Sequence, residues 1–112
     1  MKLHDWFFER VSEVCYDRDY LYLAFVRHFT AFMADIIRLG KAEECGDYLI
    51  PGIKSDLDVR LTWQLQRRLD WIGLNVLAVQ CQVVDRATGA LKSDSAEHFD
   101  LSTGDSVRPV SY

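Results

Sequence analysis

The sequence predicts an α+β domain in which two or three amphipathic helices pack on a small antiparallel sheet formed by a C-terminal β-hairpin. Three observations support this prediction. Apolar residues recur at helical spacing in the first 40 residues. After residue 73, a mostly apolar segment and a more polar segment both have the pattern of strands. A turn segment separates these two strand segments. We expect one compact domain over residues 1–101 and a flexible tail over residues 102–112.

The first two elements are predicted to be helices. In residues 3–16, Leu3, Phe7 and Val11 share one helical face. Residues 20–39, with Asp19 as the N-cap, are apolar over most of the helical circumference. Because a helix that is apolar on all sides is normally buried, the second helix is expected to lie at the centre of the fold.

The middle of the chain is compatible with more than one structure. Residues 41–48 are expected to form one short helical turn. Residues 55–72 suit a helix, since leucines repeat every four residues and residues 64–69 are rich in good helix formers. The same segment suits a strand, because five apolar residues alternate with polar ones: Leu57, Val59, Leu61, Trp63 and Leu65. We favour a third helix.

The C-terminal part has the pattern of a hairpin. Residues 74–84 are apolar enough to form a strand inside a sheet. Residues 85–89 predict the connecting turn, with Gly89 at a position of positive φ. Residues 90–101 return as a more polar strand, which is expected at an edge of the sheet.

The charge balance favours some partners over others. The chain of 112 residues has 17 acidic residues against 13 Lys and Arg, a net charge of −4. Broad nucleic-acid binding needs a basic surface, so this balance argues against it. An acidic face that meets a basic partner is compatible with the same balance.

The cysteines and the N-terminal residues predict a cytoplasmic location. Cys15, Cys45 and Cys81 form no CxxC pair, and acidic residues occur early where a signal peptide would be apolar. We expect reduced thiols, with Cys15 and Cys81 buried and Cys45 exposed. The longest uncharged apolar run, Tyr20 to Val26, is too short for a membrane span, so no membrane partner is expected.

No sequence motif for catalysis or for metal binding occurs. His4, His28 and His98 lie far apart, without the spacing of metal ligands, so neither a metal nor another cofactor is expected. Paired carboxylates lie at helix starts and in turns, where capping explains them. We expect a protein that is not an enzyme; an active site assembled from dispersed residues is the third choice.

Acidic residues form a row on the first helix. Asp5, Glu9 and Glu13 follow at i, i+4 and i+8, opposite the apolar face, and Asp17 and Asp19 extend the charge past the helix end. A rigid row of carboxylates imitates a run of phosphates and fits a basic groove. The pattern also fits an ordinary solvated helix face. These five residues are the predicted partner-binding site.

A basic segment supplies the alternative site. Residues 62–74 combine a polar helix pattern with a closing Gly-Leu, and a strand, a turn and a returning strand follow. This order resembles the recognition helix and wing of winged-helix DNA-binding domains, with residues 85–89 as the wing tip. The resemblance implies DNA contacts by six residues: Thr62, Gln64, Gln66, Arg67, Arg68 and Arg86. A packing helix with two exposed arginines fits the same residues.

These observations favour a small acidic protein that acts by occupying a partner's surface. The expected partner is a protein with a basic surface, and a homodimer is a further expectation. Small acidic domains without motifs occur among phage and mobile-element inhibitors of nucleic-acid machinery, including anti-CRISPR proteins. A winged-helix transcriptional regulator that binds nucleic acid is the alternative.

Overall fold

Two helices and one antiparallel sheet make up the fold. The computed structural model describes residues 1–40, 44–68 and 74–107. The elements follow in the order α1 (Leu3–Val14), α2 (Arg18–Leu39), β1 (Cys45–Ile50), β2 (Leu57–Arg68), β3 (Leu74–Asp85) and β4 (Leu91–Asp100). The α+β class is confirmed. The sheet is a four-stranded meander of order β1-β2-β3-β4, not the small sheet of one C-terminal hairpin that the sequence predicts.

Helix α1 packs one apolar face on the sheet. Its buried residues, Leu3, Trp6, Phe7, Val11 and Val14, share the face that their spacing predicts. The Leu3 N–H donates to the carbonyl of Gly104 at 2.7 Å, which satisfies one of the free N–H groups of the first turn.

Helix α2 begins two residues earlier than the sequence predicts. Asp17, not Asp19, is the N-cap, and its side chain accepts a hydrogen bond from the Asp19 N–H at 3.1 Å. The prediction that α2 is central and buried is wrong. Only Ala24, Phe32 and Ile36 are buried, because α2 packs one face on α1 and β1 and presents the other to solvent.

Length and composition also single out α2. Within the described residues it is the one helix that is long and apolar enough to cross a membrane by these two criteria. Only 17% of the most apolar 18-residue segment of this helix is buried in the fold. Packing within this fold therefore accounts for one side of the apolar pattern of α2, where residues such as Phe29 and Phe32 contact the core, and not for its exposed side.

Over residues 57–68, strand β2 replaces the third helix that we favoured, and residues 69–72 of that prediction lie outside the described residues. It pairs antiparallel with β1 on one side and with β3 on the other. Alternation decides the outcome, because Val59, Leu61 and Trp63 then all lie on the buried face. A helix would not place these three residues on one side. The segment 45–48, predicted as a helical turn, belongs to β1 instead; residues 41–43 lie outside the described part.

The β3–β4 hairpin confirms the most specific local prediction. Strand β3 lies between β2 and β4, and β4 forms an edge of the sheet. The Gly89 N–H donates to the Asp85 carbonyl at 2.8 Å, and Gly89 has φ 73°. Glycine suits this position because other residues adopt positive φ at a steric cost.

The core lies between the helices and one face of the sheet. Phe7 is fully buried, with its ring centroid 5.2 Å from those of Phe29 and Phe32. Over β1, the ring of Phe32 lies 5.7 Å from that of Tyr48, and Tyr48 Oη lies 2.9 Å from His28 Nδ1. The opposite face of the sheet carries no helix among the described residues; we call it the open face because Thr62, Gln64 and Gln80 are exposed on it.

Residues 102–107 run beside β4 and the N-terminus. The Val107 N–H donates to the His98 carbonyl at 2.9 Å, and the Ser106 N–H donates to the Met1 carbonyl at 3.0 Å. Lys2 and Asp105 form an ion pair at 3.0 Å. The rest of the predicted tail, residues 108–112, lies outside the described residues.

Candidate interaction surfaces

The predicted acidic row lies on the solvent side of α1. The side chains of Asp5, Glu9 and Glu13 are 61%, 51% and 39% exposed. Asp5 lies in the first turn, where its negative charge interacts favourably with the positive end of the helix dipole. We call these three residues the acidic row.

Arg10, which the sequence prediction missed, contacts two of the three residues of this row. Its guanidinium lies 3.4 Å from Glu9 and 3.1 Å from Glu13, and 5.5 Å above the Trp6 ring. The Arg10 side chain is only 17% exposed. Its spacing of three residues from Glu13 is the signal that identifies this ion pair in the sequence. Arg10 therefore fixes two of the carboxylates and offsets part of their charge.

The two acidic residues beyond α1 have different environments. Asp17 contacts Lys54 at 3.2 Å, and the hydrogen bond from Lys54 is the main reason that the pKa of this carboxyl lies below its ordinary value. Together with its capping bond, this contact makes Asp17 part of the fold's own framework. Asp19 is exposed in the first turn of α2.

Strand β4 carries further acidic residues at one edge of the sheet. Burial raises the pKa of the Cys81 thiol to about 11; the charge of Arg10 lowers it and those of Glu13 and Asp94 raise it, each to a smaller extent. Gln80 Nε2 donates to Asp94 Oδ1 at 3.2 Å, so Asp94 lies on the face of the sheet away from α1. Glu97, also on β4, is exposed. Because Asp94 and Glu97 are three residues apart, strand alternation places them on opposite faces of the sheet.

The open face of the sheet holds three of the residues assigned to DNA by the alternative. Thr62, Gln64 and Gln66 alternate along β2 on the side away from the helices. Thr62 and Gln64 border a shallow groove that Ala78 and Ala96 also line. The strand geometry thus places the three polar side chains on one face of the sheet, although not on a helix.

The remaining residues of the alternative site do not form a recognition helix. Arg67 and Arg68 lie at the end of β2, in register with Asn75 and Leu74. The recognition helix of the winged-helix prediction is therefore wrong over the residues of β2. The resemblance loses its main element, and nucleic-acid binding stays an untested prediction.

Arg86 is held by an internal contact. Its Nη2 donates to Asp58 Oδ1 at 2.8 Å and to the Gly52 carbonyl at 3.2 Å. Asp58 also accepts from the Gly52 N–H at 2.8 Å. The hydrogen bond from Arg86 is the main reason that the pKa of Asp58 lies below its ordinary value. Arg86 thus ties the β1–β2 loop to the hairpin.

The other candidate residues lie apart. Within residues 1–40, 44–68 and 74–107 no group of three or more His, Cys, Asp and Glu side chains could hold a metal ion. Cys15 and Cys81 are buried and Cys45 is exposed, as predicted. Burial lowers the pKa of His28, with a smaller effect from the charge of Arg27.

Comparisons with known proteins add no family to this description. Protein-family models, curated proteins and solved structures gave no match to the chain. Any proposal about function therefore depends on the chemistry of the surfaces themselves.

Proposed function

We propose that this chain is a non-enzymatic interaction protein whose acidic row binds a basic surface on a partner protein. The observation that carries the proposal is the exposure of Asp5, Glu9 and Glu13 on a helix whose opposite face is buried. Because α1 is held by its buried residues, the carboxylates occupy fixed positions before binding. Fixed positions reduce the conformational entropy that is lost when a partner binds.

The spacing of the row suits a groove that is lined with Lys and Arg. Successive carboxylates are four residues apart, which is a rise of about 6 Å along the helix axis. The partner that we propose is a nucleic-acid-binding protein, and the mode of action is occupation of its groove, as in an anti-CRISPR-like inhibitor from a phage or mobile element.

An affinity capture tests the proposal. The tagged full chain is incubated with extract of its source cells, and half of each sample is treated with nuclease. We expect a basic protein that remains after nuclease treatment and dissociates at high salt, because ions screen exposed charges. Enrichment of DNA without such a protein would contradict the proposal.

Two charge-reversal variants locate the binding surface. In the first, Asp5→Lys is combined with Glu9→Lys, which leaves the Arg10–Glu13 ion pair intact. In the control, Asp47→Lys is combined with Asp56→Lys, which changes the net charge equally on exposed residues outside α1. We expect the first variant to lose the captured protein and the control to retain it. Equal binding by both variants refutes the assignment to the acidic row.

A competition assay tests the mode of action. The captured partner is incubated with its own nucleic acid and with increasing amounts of this protein. Inhibition predicts that nucleic acid is released in proportion to the protein bound, and that the Asp5→Lys, Glu9→Lys variant releases none. Simultaneous binding of the protein and the nucleic acid would exclude occupation of the groove.

A further inference from the structure

The outward side of α2 carries a line of four exposed apolar residues with one threonine at its centre. Leu23, Val26, Thr30, Ala34 and Ile37 are separated by three, four, four and three residues, which keeps them on one side of the helix. All five are exposed; Leu23 is 57% and Ile37 is 63% exposed. We call these five residues the α2 strip.

Such a strip is unusual on a helix that packs on its own domain. The solvent side of a surface helix normally carries charged and polar residues. Here Tyr22, which is also exposed, widens the apolar surface. Contiguous exposed apolar surface of this kind marks a site of association.

We propose that the α2 strip is the interface of a homodimer in which two α2 helices pack antiparallel about Thr30. The strip is symmetric about this residue. Leu23 and Ile37 lie seven residues on either side, and Val26 and Ala34 lie four residues on either side. A two-fold axis through Thr30 therefore places Leu23 against Ile37 of the second copy, and Val26 against Ala34. Each of these four residues therefore lies opposite an apolar residue of the second copy.

The charges at the two ends favour the antiparallel arrangement. Asp19 lies in the first turn of α2 and Arg38 in the last turn. Antiparallel packing brings Asp19 of one copy near Arg38 of the other, whereas parallel packing places like charges side by side. Arg38 already contacts Asp35 at 3.1 Å, but this exposed pair contributes little. The pairing with Asp35 therefore does not prevent the contact between copies.

The composition of the strip favours a second copy over a lipid surface. Helices that lie in a membrane interface use Trp, Phe and Leu on their apolar side. The centre of the α2 strip has Thr30 and Ala34, which add little apolar area but let two helices approach closely. Asp19 is in line with the strip, four residues before Leu23, and a lipid surface would desolvate its carboxylate.

The size of the strip predicts a weak dimer. A helix of 22 residues is about 33 Å long, and a strip about 10 Å wide buries roughly 600 Å² over two copies. This area is below that of standard stable complexes. We therefore expect a concentration-dependent equilibrium with a Kd of about 10–100 µM.

Sedimentation equilibrium of the full chain tests the dimer. We expect monomer at low concentration and dimer at high concentration, with a Kd that Leu23→Lys raises at least tenfold. The control Leu91→Lys changes an equally exposed leucine on β4 and leaves the Kd unchanged. A chain that stays monomeric at about 1 mM overturns the proposal. Equal weakening by both variants overturns the assignment to α2.

Disulfide trapping tests the arrangement of the helices. In a Cys45→Ser background, Thr30→Cys places two thiols at the two-fold axis, and mild oxidation should link the copies. In Ala34→Cys the two thiols are about 12 Å apart along the axis, so this control should stay unlinked. Linking of both variants indicates parallel packing and refutes the antiparallel arrangement. Binding of a monomeric chain to anionic phospholipid vesicles, lost in Leu23→Lys, would assign the strip to a membrane instead.

Discussion

Gly46 of β1 supplies the sharpest test of the packing in the core. It pairs with Trp63 of β2, and its backbone is not in the positive-φ region that requires glycine. A Cβ at this position would lie 2.7 Å from Trp63 Cζ2 and 2.9 Å from Cε2. Space rather than backbone conformation therefore requires glycine here, and the substitution Gly46→Ala tests this directly.

The sign of the change in stability on Gly46→Ala shows whether limited space requires glycine at this position. Alanine in a strand is ordinarily more stable than glycine by about 0.5–1 kcal/mol. Carbon atoms in contact lie about 3.5–4.0 Å apart, so the new Cβ is too close to the indole by about 0.8 Å. Trp63 is fully buried and cannot move into solvent. Because overpacking costs about 1–3 kcal/mol, we expect Gly46→Ala to destabilise the fold by that amount.

Urea unfolding followed by circular dichroism measures this free energy, and a double-mutant cycle identifies its cause. Trp63→Phe removes the outer ring of the indole and makes room for the new methyl group. In that background Gly46→Ala should become neutral or stabilising, which gives a coupling energy of about 1–3 kcal/mol. Stabilisation of the otherwise native chain by Gly46→Ala would refute the reasoning.

Gly89 serves as the matched control for this cycle. It has φ 73° and nothing within 4 Å of an added Cβ, so backbone strain alone opposes Gly89→Ala. The expected cost of about 1–2 kcal/mol should be the same with and without Trp63→Phe. A coupling with Trp63 comparable to that of Gly46 would mean that the cycle reports a general loss of stability.

Two further predictions concern ionisation. Because the pKa of Asp58 is lowered in the folded state by the hydrogen bond from Arg86, the resulting stability is present above the unfolded pKa and is lost as the pH falls. Asp58→Asn should therefore destabilise at pH 7, and the difference from the native chain in urea unfolding should shrink between about pH 4 and pH 2; a constant difference would contradict the ion-pair explanation. In the native state at about pH 8 only Cys45 should react rapidly with a thiol reagent, because Cys15 is buried and the Cys81 thiol has a pKa of about 11. Rapid reaction of Cys81 would show that the core opens, and Cys45→Ser should remove the fast phase.

Local patterns in the sequence were sufficient where a single interpretation was possible. The apolar run of β3 and the turn ending at Gly89 predict the hairpin, since turn chemistry and alternation act over a few residues. The face of α1 follows in the same way from Leu3, Phe7 and Val11. These elements carry their structural information within their own residues.

Strand β2 depends on residues far away in the sequence. Leu57, Leu61 and Leu65 fit a helical face and a strand face equally well, so local pattern cannot decide between them. Pairing with β1 and β3 decides in favour of the strand. The prediction of β1 failed for a related reason, because Gly46 and Asp47 have low strand propensity and only the neighbouring β2 makes the strand stable.

The position of α2 could not be derived from its pattern. Apolar residues all around a helix indicate that the helix is covered on several sides. They do not indicate whether the same chain or another molecule covers it. The acidic row illustrates the same limit at the candidate site. Helical spacing predicts that Asp5, Glu9 and Glu13 are exposed, and it also allows Arg10 to contact Glu13, but it does not show whether a partner binds there.

The contact between the first and last parts of the chain determines when folding can finish during synthesis. Helix α1 bonds to Gly104, and Trp6 packs on Phe99. About 100 residues separate these partners, and a ribosome adds about 5–20 residues per second. For about 5–20 seconds, then, α1 and α2 have been synthesised but the sheet on which they pack is incomplete. During that interval their apolar faces are open to chaperones and to neighbouring nascent chains, and translation speed becomes a determinant of yield.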